Sequence, residues 1–111
     1  MPTTFVRRCQ RMPFFCQATL TVLPEGTRID AYCFDISMSG VGLNVQGSRP
    51  AGCMVRVSFH LRNSDGEVVE HVLGRIAYEK ADESGTRVGI EFQESIREST
   101  HPELTRRLQN L

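Results

Sequence analysis

A cluster of arginines lies close to the N-terminus of this 111-residue chain. Arg7, Arg8 and Arg11 precede the first carboxylate, Glu25, although the whole chain has 13 basic and 13 acidic residues. A guanidinium group can donate paired hydrogen bonds to a phosphate or to the O6 and N7 atoms of guanine, and its flat face can stack on a base. On their own, such arginines are typical of a solvated basic tail. They predict where an anionic ligand would bind if the protein has one.

A second polar segment, Asp35-Ile36-Ser37-Met38-Ser39-Gly40, has the composition of a tight turn. Asp and Ser side chains can accept hydrogen bonds from nearby backbone N–H groups, and Gly40 can adopt the positive φ that other residues resist. The segment therefore predicts a turn between two strands, and that role alone accounts for most of its composition.

Apolar and polar residues alternate along several segments, which is the pattern of half-buried β-strands. The clearest segment has apolar residues at every second position, Val55, Val57, Phe59 and Leu61. Turn residues separate the segments, as in Asn63-Ser64-Asp65-Gly66. The pattern predicts strands at about Ala18–Val22, Arg28–Phe34, Val41–Val45, Val55–Leu61, Glu67–Tyr78 and Arg87–Gln93.

The pattern changes near the C-terminus, where Thr100-His101-Pro102-Glu103 has the form of a capping box with a proline in the first helical turn. Leu104, Leu108 and Leu111 then recur at helical spacing. These features predict a short helix over about residues 100–110, with leucines that plug or flank the core formed by the strands.

Length and composition indicate one folded domain over residues 1–111. A chain of this length can bury one hydrophobic core. Its 40% hydrophobic and 23% charged residues are ordinary for a globular protein. Within the domain we expect a flexible arm at residues 1–15, a β-barrel at 16–94 and the helix at 100–110.

The order and spacing of the two polar motifs resemble those of the PilZ domain family. In that family an R-x-x-x-R motif precedes a (D/N)-x-S-x-x-G motif, and Arg7-x-x-x-Arg11 and Asp35-x-Ser37-x-x-Gly40 match both without substitution. Many members also carry a G-x-x-F pattern in the last strand, here Gly89-Ile90-Glu91-Phe92. The resemblance implies an all-β fold, a six-stranded antiparallel β-barrel with a short C-terminal α-helix.

The same resemblance implies that the chain binds the bacterial second messenger cyclic di-GMP, a molecule with two phosphates and two guanines. Arg7 and Arg11 would contact phosphate and the O6/N7 edge of guanine, and Arg8 would add a stacking surface or a further charge. Asp35 would accept hydrogen bonds from guanine N1–H and N2–H₂. The implied ligand-binding residues are Arg7, Arg8, Arg11, Asp35, Ser37 and Gly40, where Ser37 would hydrogen-bond base or phosphate and Gly40 would keep the turn open.

The implied mechanism is that of a receptor that acts on an effector protein, which the sequence does not identify. Ligand binding would order the arm over the barrel face that carries the turn, and would reposition Phe5 and Val6. Val6 is the residue before the first motif arginine, and its aliphatic side chain favours one bound ligand over an intercalated pair. The alternative is a PilZ-fold adaptor that binds a partner protein without cyclic di-GMP.

The sequence does not favour two other functional classes, an enzyme and a nucleic-acid-binding barrel. His60, His71 and His101 are scattered over different predicted elements, and no Ser-His-Asp or Cys-His arrangement stands out, so we do not expect an enzyme. A nucleic-acid-binding barrel would need a basic groove with aromatic platforms, whereas the chain has no net charge and 7% aromatic residues.

The spacing of the cysteines indicates whether the chain binds a metal, and the hydropathy indicates the cellular compartment. Cys9, Cys16, Cys33 and Cys53 form no C-x-x-C pair, so we expect neither a metal site nor a cofactor beyond the ligand itself. No apolar run approaches the roughly 18 residues of a membrane span, and the N-terminal sequence lacks the apolar region of a signal peptide. We therefore expect a cytoplasmic protein with reduced thiols and no direct membrane insertion.

Overall fold

Six strands and one helix are formed by the residues that the computed structural model describes, 11–47, 50–83 and 85–109. The elements are β1 (Met12–Val22), β2 (Thr27–Ile36), β3 (Gly40–Val45), β4 (Met54–Asn63), β5 (Gly66–Asp82), β6 (Gly85–Phe92) and α1 (Pro102–Gln109). The strands pair antiparallel and close into a barrel in the order β1-β2-β3-β6-β5-β4. The predicted all-β fold with a C-terminal helix is confirmed.

Alternate strand residues point into the barrel and build its core. In β4 these residues are Val55, Val57, Phe59 and Leu61, which are at most 2% exposed, as their spacing predicts. Burial of each such side chain contributes about 1.5–3 kcal/mol. The Phe59 ring meets the Phe92 ring of β6 edge to face, with 6.5 Å between the ring centres. The core therefore joins β4 to β6, two strands that are separated by β5 in the barrel.

The first strand begins at Met12, so residues 12–15 belong to the barrel and not to an arm. Pro13 pairs with Asp35 of β2, and the Phe14 side chain is buried in the core at 6% exposure. The expected arm boundary at residue 15 is wrong because burial of the Phe14 ring extends the strand towards the N-terminus. Residues 1–10 lie outside the described part of the chain.

The C-terminal helix packs against the core through its leucines. Leu104 is fully buried and Leu108 is partly buried against the core cluster, as predicted, while Leu111 lies outside the described residues. Across the described ranges, no helix is long and apolar enough to cross a membrane.

A strand residue, Glu70, caps the N-terminus of α1. Its Oε2 accepts the backbone N–H of Glu103 at 2.8 Å, and its Oε1 accepts that of Leu104 at 2.9 Å. Thr100 instead hydrogen-bonds His101 Nδ1, with 2.8 Å between the hydroxyl oxygen and the ring nitrogen. The predicted capping box is therefore wrong, because a carboxylate from β5 accepts the Glu103 N–H that the Thr100 hydroxyl was expected to bind.

Candidate functional site

Arg11 and Asp35, one from each sequence motif, form an ion pair. Arg11 Nη1 donates to Asp35 Oδ1 at 2.8 Å, across a sequence separation of 24 residues. Pairing of β1 with β2 brings the two residues together. Their side chains are 40% and 29% exposed, so each keeps an edge open to a ligand. An exposed pair of this kind contributes at most about 1 kcal/mol, and a ligand can replace it at little cost.

A β-bulge in β2 directs Asp35 to the outside of the barrel. Cys33 is fully buried, and strict alternation would also point Asp35 inward. The pairing of β2 with β3 shifts between Cys33 and Asp35, so that Asp35 faces outward and Ile36 is buried. Bulges next to functional sites commonly re-aim a side chain in this way.

Ser37 lies inside the turn that follows β2, and its side chain is only 1% exposed. Its hydroxyl oxygen accepts the backbone N–H of Ser39 at 3.2 Å and lies 3.3 Å from the Ser39 hydroxyl. The Ser37 backbone N–H donates to the Gly40 carbonyl at 2.8 Å. In this conformation Ser37 holds the shape of the turn and does not present its hydroxyl at the surface.

Gly40 leaves the space that the Ile90 carbonyl of β6 occupies, and Gly42 leaves the space that the Asp35 carboxylate occupies. Gly40 does not have a positive φ, which corrects the sequence prediction. Instead, a Cβ atom at Gly40 would overlap the Ile90 carbonyl and lie 3.5 Å from Arg11 Nη2. At Gly42 a Cβ atom would lie 2.6 Å from Asp35 Oδ1. Both glycines are needed for close approach.

Two aromatic rings cover glycines on the neighbouring strands. Gly42 and Gly89 pair across β3 and β6. The Phe34 ring lies against Gly42 and the Tyr78 ring against Gly89, where a larger residue would collide with them. The Arg87 guanidinium lies 4.5 Å from the centre of the Phe34 ring in a cation–π contact. This outer face therefore combines cations with flat apolar surfaces, which complement a ligand that carries negative charge and aromatic bases.

The sequence pattern did not reveal Tyr78 as part of this face. Strict alternation from Val72 through Ile76 would point Tyr78 into the core. The pairing of β5 with β6 shifts between Ile76 and Tyr78, and the Tyr78 side chain is 46% exposed. The available signal was Gly89, since a glycine inside a strand indicates that another group approaches the backbone closely.

The structure brings together three of the expected ligand-binding residues, Arg11, Asp35 and Gly40, and places Ser37 beneath them within the turn. Arg7 and Arg8 lie outside the described residues. Within the part of the chain that is described, no group of three His, Cys, Asp or Glu side chains is positioned to hold a metal ion.

A family model, that of the PilZ domain, matches residues 5–110 of the chain. No curated protein matches the chain. Solved structures with the same fold include the inhibitor of motility MotI/DgrA from Bacillus subtilis, with a TM-score of 0.69, 14% sequence identity and coverage of 94% of this chain. This chain spans about half of MotI/DgrA, 52% of its length.

A second similar structure is the PilZ domain of YcgR from Escherichia coli with c-di-GMP. Its TM-score is 0.65 at 16% sequence identity, and the match covers 95% of this chain and 90% of that one. At these identities the likeness concerns the fold.

Proposed function

We propose that this chain, which belongs to the PilZ domain family, is a receptor that binds cyclic di-GMP at the Arg11–Asp35 pair and passes the signal to an effector protein. PilZ domains are ligand-binding and adaptor domains and are not a known enzyme family. The observation that carries the proposal is the 2.8 Å ion pair, which joins residues of the two motifs at an accessible position. The shared fold with the PilZ domain of YcgR, solved with c-di-GMP, supports this choice of ligand.

The ligand would exchange one ion pair for several charge-assisted hydrogen bonds. Arg11 would turn from Asp35 to a phosphate or to the O6/N7 edge of a guanine. Asp35 would then accept from N1–H and N2–H₂ of a guanine, which offer two donors side by side. Because the original pair is exposed and weak, this exchange favours the bound state. Ser37 would contribute by fixing the turn that carries Asp35, and Gly40 by allowing β3 to approach the Ile90 carbonyl of β6 closely.

The outer face beside the pair would supply stacking surfaces. Asp35 and Gly89 lie on the two strands that flank β3, so two strand spacings, roughly 10 Å, separate them. The exposed ring of Tyr78 lies against Gly89. The Phe34 ring lies between them, against Gly42 of β3, and the Arg87 guanidinium contacts that ring. A ligand with two bases could therefore place one guanine at Asp35 while another part of it contacts an aromatic ring.

Signalling would depend on the residues that precede Arg11. In the proposal Arg7 and Arg8 add further phosphate and base contacts and close over the barrel face that carries Asp35. The position of this segment would change the surface offered to an effector protein in the cytoplasm. Control of motility or biofilm formation is the class of output that fits such a receptor.

The alternative function is an adaptor that binds a partner protein without cyclic di-GMP. One observation favours it: the Arg11 guanidinium donates a hydrogen bond to the Asp35 carboxylate, so the two charged groups can satisfy each other. An adaptor would retain the pair as a fixed feature of its surface.

Calorimetric titration of the full chain with cyclic di-GMP, cyclic di-AMP and GTP separates these functions. A receptor binds cyclic di-GMP with a defined stoichiometry and discriminates against adenine, because Asp35 faces a donor edge that adenine does not offer in the same arrangement. An adaptor gives no heat with any of the three. Binding that ignores the base and weakens steeply with salt would instead indicate a general anion site and contradict the proposal.

A further inference from the structure

Two cysteines, Cys16 and Cys33, occupy directly opposite positions on β1 and β2. Opposed residues of antiparallel strands have Cα atoms about 4.5–5.5 Å apart, which lies within the range of about 4.4–6.8 Å that a disulfide spans. Both side chains belong to the inner side of the barrel, where Cys33 is fully buried and Cys16 is partly buried against the core. The strands therefore place the two cysteines at a Cα separation that a disulfide can span.

The surroundings distinguish the two thiols chemically. A hydrogen bond from Cys33 lowers the pKa of Cys16; burial opposes this shift, and the positive charge of Arg107 on α1 adds to it. The same hydrogen bond, together with burial, raises the pKa of Cys33. Cys16 is thus the more accessible sulfur and the one favoured as thiolate, and Cys33 is a protonated neighbour. An accessible thiolate beside a resolving cysteine is the arrangement of a redox-sensitive site.

We propose that Cys16 and Cys33 form a site of reversible oxidation, at which a hydroperoxide closes a disulfide between β1 and β2. The Cys16 thiolate attacks one peroxide oxygen and breaks the O–O bond, which yields the Cys16 sulfenic acid and releases the other oxygen as hydroxide or alkoxide. Cys33 then attacks the Cys16 sulfur and forms the S–S bond. Hydroxide leaves from Cys16 and takes up the proton of Cys33 as water. Two thiols are oxidised by two electrons, and the peroxide is reduced.

The site lies close to the candidate ligand-binding residues without being part of them. Cys33 Sγ lies 3.6 Å from the backbone carbonyl oxygen of Asp35, which is a second acceptor, besides Cys16, for its single S–H. A disulfide has no S–H group, so oxidation removes this donor from the bulge that directs Asp35 outward. The modification itself does not depend on whether cyclic di-GMP is the ligand.

To test this proposal, the reduced and folded 111-residue chain is treated with hydrogen peroxide. Its intact mass is then measured, and peptide mapping identifies the cysteines that are linked. Wild type should lose two hydrogens, give a peptide that links Cys16 to Cys33, and recover its mass with dithiothreitol. The Cys53→Ala variant is the matched control, because Cys53 is also partly buried against the core, and it should behave as wild type. The Cys16→Ala variant should lose the linkage completely.

The Cys33→Ser variant isolates the first step, because serine removes the resolving thiol but keeps a hydroxyl that can donate a hydrogen bond to Cys16. It should accumulate a Cys16 sulfenic acid that dimedone labels, since no resolving thiol is present. Because Cys33 is fully buried, circular dichroism must show that this variant is folded, and if it is not, the Cys16→Ala variant and peptide mapping of wild type decide. Thiols that stay reduced in folded wild type would overturn the proposal, as would a linkage that uses Cys9 or Cys53, or one that forms only in denaturant.

Discussion

The Glu70 carboxylate on β5 accepts the backbone N–H of Leu104 at 2.9 Å, so a strand side chain caps α1 from outside the helix. Its other oxygen accepts the N–H of Glu103 at 2.8 Å. Two of the N–H groups that a helix leaves without internal partners are thereby satisfied in a buried position. The cap fixes the helix to the barrel, with Leu104 inserted in the core.

Removal of this cap should destabilise the protein. We expect Glu70→Ala to lower the free energy of unfolding by about 1–3 kcal/mol, because two buried N–H groups lose their acceptors. Glu70→Gln keeps one acceptor oxygen and should cost less. Urea unfolding measures the change, with Glu79→Ala on the same strand as the control. Equal stability of Glu70→Ala and Glu79→Ala would contradict this account of the helix start.

Stability should depend on pH through Glu103. Burial of its carboxyl group disfavours the charged form, but hydrogen bonds from Arg107, Asn63 and Arg106 outweigh burial and hold the pKa of Glu103 below its ordinary value of 4.5. A lowered pKa in the folded state stabilises the protein above the ordinary pKa, and this contribution is lost as the pH falls through the lowered value. The contribution is therefore complete at neutral pH and absent in strong acid.

The Glu103→Gln variant tests this pH dependence, since the amide mimics the protonated side chain. The difference in unfolding free energy between wild type and Glu103→Gln should be largest near neutral pH and should shrink as the solution is acidified below about pH 4. Glu98→Gln, an exposed position just before the same helix, is the control. A difference that is constant with pH would show that the ionised form of Glu103 is not what stabilises the fold.

We expect the main role of Ser37 to be stabilisation of the turn that follows β2, and not direct contact with a ligand. Its buried hydroxyl accepts from Ser39 and lies close to the Gly40 carbonyl. We therefore expect Ser37→Ala to lower the free energy of unfolding by about 1 kcal/mol. Thermal unfolding checks this, with the exposed Ser95→Ala as control. Unchanged stability together with a lost affinity for cyclic di-GMP would instead assign the hydroxyl to the ligand.

Tyr78 should contribute to ligand affinity through its exposed ring. Stacking of a base on an aromatic side chain contributes about 1–3 kcal/mol, so Tyr78→Ala should weaken cyclic di-GMP binding by roughly fivefold to a hundredfold. Tyr32→Ala is a matched control, because Tyr32 is 47% exposed against 46% for Tyr78 and lines a cleft with Gln17 and His60. Similar losses in both variants would show that the ring of Tyr78 has no specific role.

The sequence predicted the fold better than it predicted the surface. The alternation of Val55, Val57, Phe59 and Leu61 identified β4 and its buried side because burial follows a two-residue period. The same rule fails at Asp35 and Tyr78, where an extra residue in the strand reverses the inside and outside faces. Such a bulge depends on the pairing of two strands and has no local sequence signature of its own.

Local sequence patterns also could not predict contacts between residues that are far apart in the chain. Thr100 and Glu103 match the spacing of a capping box, but the competing acceptor, Glu70, comes from β5. By contrast, the resemblance of two motifs to a family predicted that Arg11 and Asp35 belong to one ligand-binding site, although it did not predict an ion pair between them. Spacing along the sequence alone could not have placed these two side chains 2.8 Å apart.

The most direct test of the proposed function is calorimetric titration of cyclic di-GMP into wild type and into Arg11→Ala and Asp35→Ala. Each variant removes a charged hydrogen-bonding group that contributes about 1.5–3 kcal/mol, so affinity should fall roughly tenfold to a hundredfold while the fold is retained. Arg56→Ala, which removes an exposed arginine from β4, should bind as wild type does. Absence of binding to folded wild type, or equal affinity of the Arg11 and Asp35 variants and wild type, would contradict the account.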